Sequence, residues 1–337
     1  MKKFTFAIPC YNSAAYMDHA IESILSCLKD DMEIILVDDG STKDNTAEIA
    51  DAWAEKYPGT IRVIHQENAG HGGAVAAGIA AAEGEYFKVV DSDDWLDEEA
   101  LPRVLDRVRS FENPVDMVVF NYIYDKVGAT HKKVVRYTLS LPTDRVLSWD
   151  DVRRPVRGAY ILMHSVMYRT EVIRKSGLEL PKHTFYVDNL FVTVPMRMVE
   201  SIYYMNEDVY HYFIGRDDQS VHESVMIKRM DQQLRVNLEL VKQTHLSEIE
   251  HKMKYLYIYS YVEIITTVSM MMILLSDTEE NYEKRAKLWK DIRREDEAVY
   301  RKLRFNFLTI MTTPVTRVGR KVTIAVYHFL QKFVGFN

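Results

Sequence analysis

Cysteine is nearly missing from these 337 residues: Cys10 and Cys27 are the only two. Neither sits in a ligand-spaced cluster, which excludes a disulfide scaffold and a cysteine zinc site and fits a reducing compartment. No GxxxxGK[ST] run occurs, so a phosphate-binding loop of that type is excluded. The one glycine-rich run, Asn68 to Gly73, has Val75 where a GxGxxG fingerprint needs glycine. It also follows the third predicted strand rather than the first, which argues against a nicotinamide oxidoreductase. Internal repeats and low-complexity segments are absent. Acidic residues stop before position 300: from Arg301 to Asn337 there are seven Lys/Arg and no Asp or Glu. The overall charge of −6 therefore hides an acidic body and a basic tail. The acidic body argues against general nucleic-acid binding. The tail, basic and rich in aromatics, points to an anionic surface, with lipid headgroups as its partner.

What is present reads as a soluble globular chain, 47% apolar and 27% charged, long enough for two domains. Strand-like runs fall at 4–8, 33–37, 61–65, 86–90 and 115–120. Helical patterns fall between them at 14–28, 45–56, 72–82 and 98–110. This alternation predicts right-handed βαβ units and a mostly parallel sheet flanked by helices. The short apolar run Phe4–Cys10 meets Pro9, Tyr11 and Asn12 rather than a small-residue cleavage site, so it reads as a strand and not a signal peptide. From about 121 to 222 the pattern is mixed and tyrosine-rich. After about 223 glycine and proline are scarce and helical periodicity dominates. The expected domains are 1–222 and 223–337. Tyr255–Leu275 is long and apolar enough to span a bilayer. It carries Glu263 and many hydroxyls, and a buried or surface-docked helix is the preferred reading.

In a parallel sheet, ligands bind beyond the carboxyl ends of the strands. The unusual residues cluster there: Pro9-Cys10-Tyr11-Asn12, Asp38-Asp39-Gly40-Ser41, Asn68 to Gly73, and Asp91-Ser92-Asp93-Asp94. Two carboxylates at i and i+2 can converge on a hard cation such as Mg²⁺ or Mn²⁺, which favours oxygen ligands and bridges to phosphates. Alone, the same residues also suit a solvated acidic turn before a helix. Asp188 lies among Tyr186, Val187, Leu190 and Phe191, apolar surroundings that raise a carboxyl pKa and suit a general base. It equally suits a helix N-cap. Arg216 offers a fork to a diphosphate or a plain surface charge. His211 stands within Tyr210-His211-Tyr212.

In this order the clusters resemble those of the inverting family 2 glycosyltransferases with the GT-A fold, over roughly residues 1–222. Ala82-Glu83-Gly84-Glu85-Tyr86 leading into Asp91-Ser92-Asp93-Asp94, and Tyr186-Val187-Asp188 before a helix, complete the match. The resemblance implies a metal-dependent hexosyltransferase that uses a nucleotide sugar, commonly UDP-linked, with Mn²⁺ or Mg²⁺. By it, the nucleotide-sugar site draws on Pro9, Tyr11, Asn12, Asp38, Asp39, Asn68, Gly70, Gly73, Asp91, Ser92 and Arg216. Asp39 meets the uracil and Asp38 shapes its pocket. Asp91 and Asp93 bind the metal, with His211 as third ligand, and Asp188 deprotonates the acceptor hydroxyl. Val187 stands where many members have Glu. The Gln-x-x-Arg-Trp motif of processive polymer synthases is absent.

At 100° per residue, Arg317, Arg320, Lys321, His328 and Lys332 share one arc. Val318, Val322, Ala325, Val326, Phe329, Leu330 and Phe333 fill the opposite one. This basic amphipathic helix, within about 310–336, suits a membrane interface; a helix docked on the protein's own core is the other reading. The expected function is transfer from a UDP-sugar to a membrane lipid of diacylglycerol type, or to a lipid-linked glycan, peripherally at the cytoplasmic face of the cell membrane. A transferase of capsule or wall-polymer biosynthesis with a soluble or polyprenyl-linked acceptor is the alternative. A nucleotidyltransferase and a non-catalytic membrane-docked binding module are the readings from other classes.

Overall fold

The computed structural model describes residues 2–126, 132–214, 223–314 and 316–334, with the side chains of 330–334 left aside. It comprises two compact units, Met1–Ile214 and Gly215–Asn337.

The first unit opens with β1 (Phe4–Cys10), α1 (Met17–Leu25), β2 (Met32–Asp38), α2 (Thr46–Lys56), β3 (Ile61–His65), α3 (Gly70–Ala81) and β4 (Tyr86–Val89). Then come β5 (Trp95–Leu96), α4 (Ala100–Arg109), β6 (Met117–Lys126), β7 (Lys133–Val135), β8 (Val146–Leu147), β9 (Val166–Arg169), α5 (Thr170–Lys175), α6 (Asp188–Met196) and β10 (Ile202–Ile214). The sheet runs β3-β2-β1-β4-β9-β6-β10-β5, with β7 beside β6 and β8 beside β10. The first four strands pair in parallel. Beyond β4 the sheet is mixed: β9 is antiparallel to both β4 and β6, whereas β6 and β10 are parallel. The expected parallel sheet thus covers one half only, because β9 enters without a crossover helix.

Every residue of β1 and of β2 is buried, as strands covered on both faces require. Each fully buried Phe, Ile or Val there stabilises the unit by about 1.5–3 kcal/mol. Glu33 is the polar exception in β2. It accepts hydrogen bonds from the Thr5 hydroxyl, the Glu83 and Gly84 N–H groups and Arg62, so its charge is compensated inside the unit.

The second unit is helical: α7 (Glu223–Lys228), α8 (Met230–Thr244), α9 (Lys252–Ser276), α10 (Glu279–Glu295), α11 (Glu297–Arg304), α12 (Phe307–Thr312) and α13 (Arg317–Val334). Among the described residues α9 is the one helix long and apolar enough to cross a membrane, and 61% of its most apolar window is buried. Its hydroxyls explain that burial. Ser269 and Thr266 accept from Gln233 and Asn237 of α8, which pairs these buried hydroxyls across the two helices, while Asn237 Oδ1 has no partner.

Candidate active site

The strand order reverses at β1, between β2 and β4, and the polar clusters gather beyond the carboxyl ends of these strands. After β1, Asn12 adopts φ 51° and its side-chain oxygen accepts from the Thr42 and Lys43 N–H groups. Asn12 thereby ties the loop after β1 to the loop after β2. Tyr11 is 49% exposed, its ring open to a ligand. Ser13 and Ser92 hydroxyls lie 2.9 Å apart and join the loops after β1 and β4.

Asp38 and Asp39 are both buried, each on a different task. Asp38 accepts from the Ser41 N–H and meets His65 Nδ1 at 2.9 Å. Burial alone would raise its pKa, but these bonds win and hold it below the usual value. Asp39 accepts from Gln66 Nε2, the Ala69 N–H and the Gly70 N–H, which clamps the loop after β3. Asn68 donates to the Asp39 carbonyl. Gly70 opens α3 at φ +76°, where an added Cβ would stand 2.9 Å from the His183 backbone. Gly73 follows one turn inside the helix, and an added Cβ there would stand 2.4 Å from Ala69 Cβ.

The turn after β4 holds the acidic centre. Asp94 is fully buried; its carboxylate accepts from the Tyr210 hydroxyl at 2.7 Å and the Phe213 N–H at 2.8 Å. Tyr210 also accepts from the Asp91 N–H at 3.1 Å, so one hydroxyl of β10 fixes both ends of Asp91-Ser92-Asp93-Asp94. Asp91 meets His71 Nε2 at 2.9 Å and His164 Nε2 at 3.6 Å. Burial opposes its charge, but the two imidazoles outweigh it and hold the carboxyl well below the usual range. Burial and the charges of Asp93 and Asp91 push Asp94 the other way, well above that range. Beneath the centre, Lys88 is buried and donates to the Met163 carbonyl at 2.6 Å, its ammonium 4.7 Å from the Tyr210 ring centroid. Burial pushes Lys88 down to about 7 against the pull of Asp91 and Asp94.

Asp91, Asp94 and His164 bring one ligand atom each within 4.8 Å of one another. Carboxylate oxygens with one imidazole suit a divalent ion of Mn²⁺ type. His164 stacks on Tyr212 at 4.1 Å, and its Nδ1 is buried without a hydrogen-bond partner. His164 turns Nε2 toward Asp91 at 3.6 Å and Asp94 at 3.8 Å, and this donor set fits a metal. Asp93 lies on the same turn and interacts electrostatically with His71 and Asp94.

His211 requires a correction. Along β10, Tyr210 and Tyr212 point toward Asp94 and His164, so alternation turns His211 to the opposite face. There it stacks on Trp95 at 5.0 Å and meets Asp125 at 3.1 Å and Asp97 at 3.6 Å. The histidine that does reach the acidic turn is His164. His164 lies in no sequence motif, and His71, although inside the Asn68 to Gly73 run, has no role assigned by the sequence reading. His164 arrives because β9 runs antiparallel to β4, with Phe87 beside Tyr168. The residues just before β9 therefore lie beside the residues just after β4.

Asp188 is the first residue of α6, after Tyr186 at φ 67°. The N-cap is Val187 and makes no side-chain cap bond, so Asp188 is not the cap. Burial raises the Asp188 pKa, opposed by the charges of His164 and His71, which places this carboxyl in the same field as Asp91. Arg216 lies outside the described residues.

The model of the family described as glycosyl transferase family 2 matches residues 5–169. "Glycosyltransferase GlyG" of Streptococcus pneumoniae is 43% identical over 35% of this chain and 39% of its own length. "Minor teichoic acid biosynthesis protein GgaA" of Bacillus subtilis is 34% identical over 56% of this chain and 42% of its own. The chain thus spans about two fifths of the length of these curated relatives. Among solved structures, Staphylococcus aureus TarS 1–349 in complex with UDP-GlcNAc aligns with a TM-score of 0.65 at 16% identity, over 97% of this chain and 92% of that one. That likeness shows the fold, a central sheet with flanking helices as in GT-A glycosyltransferases.

Proposed function

We propose that this chain, whose residues 5–169 match the model of glycosyl transferase family 2, is an inverting, metal-dependent glycosyltransferase that takes its sugar from a UDP-sugar. The observation that carries this reading is the meeting of Asp91, Asp94 and His164 at the end of β4, with Asp188 in the same electrostatic field. The acceptor is a hydroxyl of a membrane lipid of diacylglycerol type or of a lipid-linked glycan at the inner face of the cell membrane. A wall-polymer acceptor is the second reading, favoured by the name of the teichoic acid relative.

In this mechanism Asp38 and the clamped loop after β3 shape the uracil pocket. A carboxylate offers about four acceptor positions, and Asp39 uses three on its own loop, which leaves one for the ring N–H. Pro9, Tyr11, Asn12 and Ser92 border the nucleoside, and Arg216 serves the diphosphate. Asp91, Asp93, Asp94 and His164 would hold the metal, which supplies positive charge to the departing diphosphate. Asp188 takes the proton from the acceptor hydroxyl as its oxygen attacks the anomeric carbon from the face opposite the diphosphate, and configuration inverts. A carboxyl with a raised pKa is a better base than an ordinary aspartate.

The test is UDP release by the purified chain with UDP-glucose, UDP-galactose and the two N-acetylhexosamine donors, with Mn²⁺ or Mg²⁺. Each is run with and without vesicles containing diacylglycerol. Metal-dependent release with one donor, raised by the vesicles, is expected. Release raised only by a soluble or polyprenyl-linked acceptor selects the second reading. Consumption of a nucleoside triphosphate in place of a UDP-sugar would overturn both.

A further inference from the structure

We propose that Lys88 is a positioning residue for the metal centre: from beneath, it holds the turn that presents His164 to Asp91 and Asp94. The proposal rests on the metal-dependent reading above and names what sets one of the ligands in place.

Lys88 is the third residue of β4, beside Phe6 of β1, in a strand buried along its whole length. It is 1% exposed. Among the described residues its ammonium forms no ion pair. Burial of a charge without a paired counter-charge is strongly unfavourable. An apolar side chain of similar length would avoid that cost. It could not donate the hydrogen bond that Lys88 Nζ makes to the Met163 carbonyl at 2.6 Å. The rings of Tyr210 and Phe120, with centroids 4.7 and 5.6 Å from Nζ, flank the ammonium and favour its charge.

The carbonyl that Lys88 holds belongs to the residue before His164. Met163, His164 and Ser165 form one 3₁₀ turn, too short to satisfy its own carbonyls. Both neighbours of His164 are tied from outside this turn. Ser165 Oγ lies 2.8 Å from the Tyr137 hydroxyl, and the Met163 carbonyl accepts from Lys88. The imidazole between them stacks on Tyr212 at 4.1 Å and stands edge-on to Tyr210 at 4.9 Å. Tyr210 therefore meets Lys88 and His164 with its ring and Asp94 with its hydroxyl. With the turn held on both sides, His164 Nε2 faces Asp91 at 3.6 Å and Asp94 at 3.8 Å. Without the Lys88 bond the Met163 carbonyl is left unpaired in the interior. The turn then relaxes toward another donor and carries the imidazole away from the carboxylates. Charge alone would act in the opposite sense. A buried ammonium beneath a cation site repels the cation, so a purely electrostatic Lys88 would weaken metal binding and its removal would tighten it.

The test is the Mn²⁺ affinity of the full chain, read by electron paramagnetic resonance, in wild type, Lys88→Met, His164→Gln and the double variant. Lys88→Met is expected to weaken Mn²⁺ binding about tenfold, as loss of a group that orients a metal ligand does. In the double variant the two losses do not multiply, because both act through one imidazole, and the affinity matches that of His164→Gln alone. A second readout needs no metal. The Tyr212 ring shifts the His164 imidazole proton signals upfield in NMR spectra, and their absence from His164→Gln assigns them. In metal-free Lys88→Met these signals move toward ordinary values. Unchanged or tighter Mn²⁺ binding by folded Lys88→Met overturns the proposal, and so do losses that multiply. If wild type binds no Mn²⁺, the metal reading falls; His164 signals that stay in place in Lys88→Met overturn the positioning role alone. Near-UV circular dichroism identifies the folded variants. Lys88→Gln keeps an N–H donor on a shorter arm and is expected to fall between wild type and Lys88→Met. It carries the same measurements if Lys88→Met does not fold. Failure of both to fold would make Lys88 a structural residue and overturn the proposal.

Discussion

Tyr210→Phe removes one oxygen from the point where β10 grips the acidic turn. Two interactions go with it. The Asp94 carboxylate loses a 2.7 Å donor in a fully buried setting, and the Asp91 N–H loses its 3.1 Å acceptor. A hydrogen bond to a charged group contributes about 1.5–3 kcal/mol, and a buried N–H left unpaired costs about 1–3 kcal/mol. Burial and the charges of Asp93 and Asp91 oppose the charge on Asp94, so the lower ends apply. The sum is about 2.5 kcal/mol. For a unit of this size that shifts Tm by roughly 5–10 °C. The ring itself stays, so no cavity accompanies the change. The turn that carries Asp91 and Asp93 loses one of its ties to β10 and keeps the Phe213 N–H bond to Asp94, and the metal concentration for half-maximal UDP release rises by about tenfold, as for other groups that orient metal ligands. Thermal unfolding followed by near-UV circular dichroism, with a Mn²⁺ titration of UDP release, measures both. A variant that melts within 1 °C of wild type and keeps the wild-type metal requirement would refute this account of the turn.

Three further outcomes follow from the same geometry. His164→Gln removes the imidazole from the group with Asp91 and Asp94, and the Mn²⁺ affinity read by electron paramagnetic resonance drops about tenfold or more; unchanged affinity would remove His164 from the site. Gly84→Ala sets a Cβ 2.5 Å from the Thr5 backbone nitrogen and 2.6 Å from the Phe4 carbonyl carbon, so β1 must shift, and denaturant unfolding should show a loss of about 3 kcal/mol. A wild-type midpoint would mean that the strand gives way freely. The raised pKa of Asp188 sets the acid limb of kcat/KM: the base is lost as pH falls through a value above the ordinary 3.8, so activity declines earlier on acidification than an exposed aspartate would allow. An acid limb at or below the ordinary value contradicts the base assignment.

The half of the site that comes from β1 to β4 is legible in the sequence, because parallel strands of a βαβ unit end on one edge and their following loops must converge there. The position of Asp38, Asp39, Gly70 and Asp91 at that edge follows from that rule alone. The other half is not. His164 sits in a stretch without periodicity, and its place depends on β9 inserting antiparallel between β4 and β6, a pairing that local pattern does not encode. His211 illustrates the opposite failure. The resemblance gives it the place of a third ligand, yet a strand turns alternate residues to opposite faces, and the tyrosines on either side take the inner one. Buried Lys88 reads in sequence as an ordinary strand lysine. Its role in holding the Met163 carbonyl is visible only once β9 is in place. In the helical unit the amphipathic pattern of 317–334 is plain in the sequence, but which side faces outward is set by Tyr282 and Arg320 packing across helices.

The central claim is that Asp188 acts as the base in sugar transfer from a metal-bound UDP-sugar, and Asp188→Asn tests it most directly. The amide keeps the size and removes the proton acceptor. Calorimetric titration of the nucleotide sugar with Mn²⁺ should give wild-type affinity, while turnover measured as UDP release falls by about 10²–10⁴-fold. Turnover within a few-fold of wild type, with binding intact, would contradict the account.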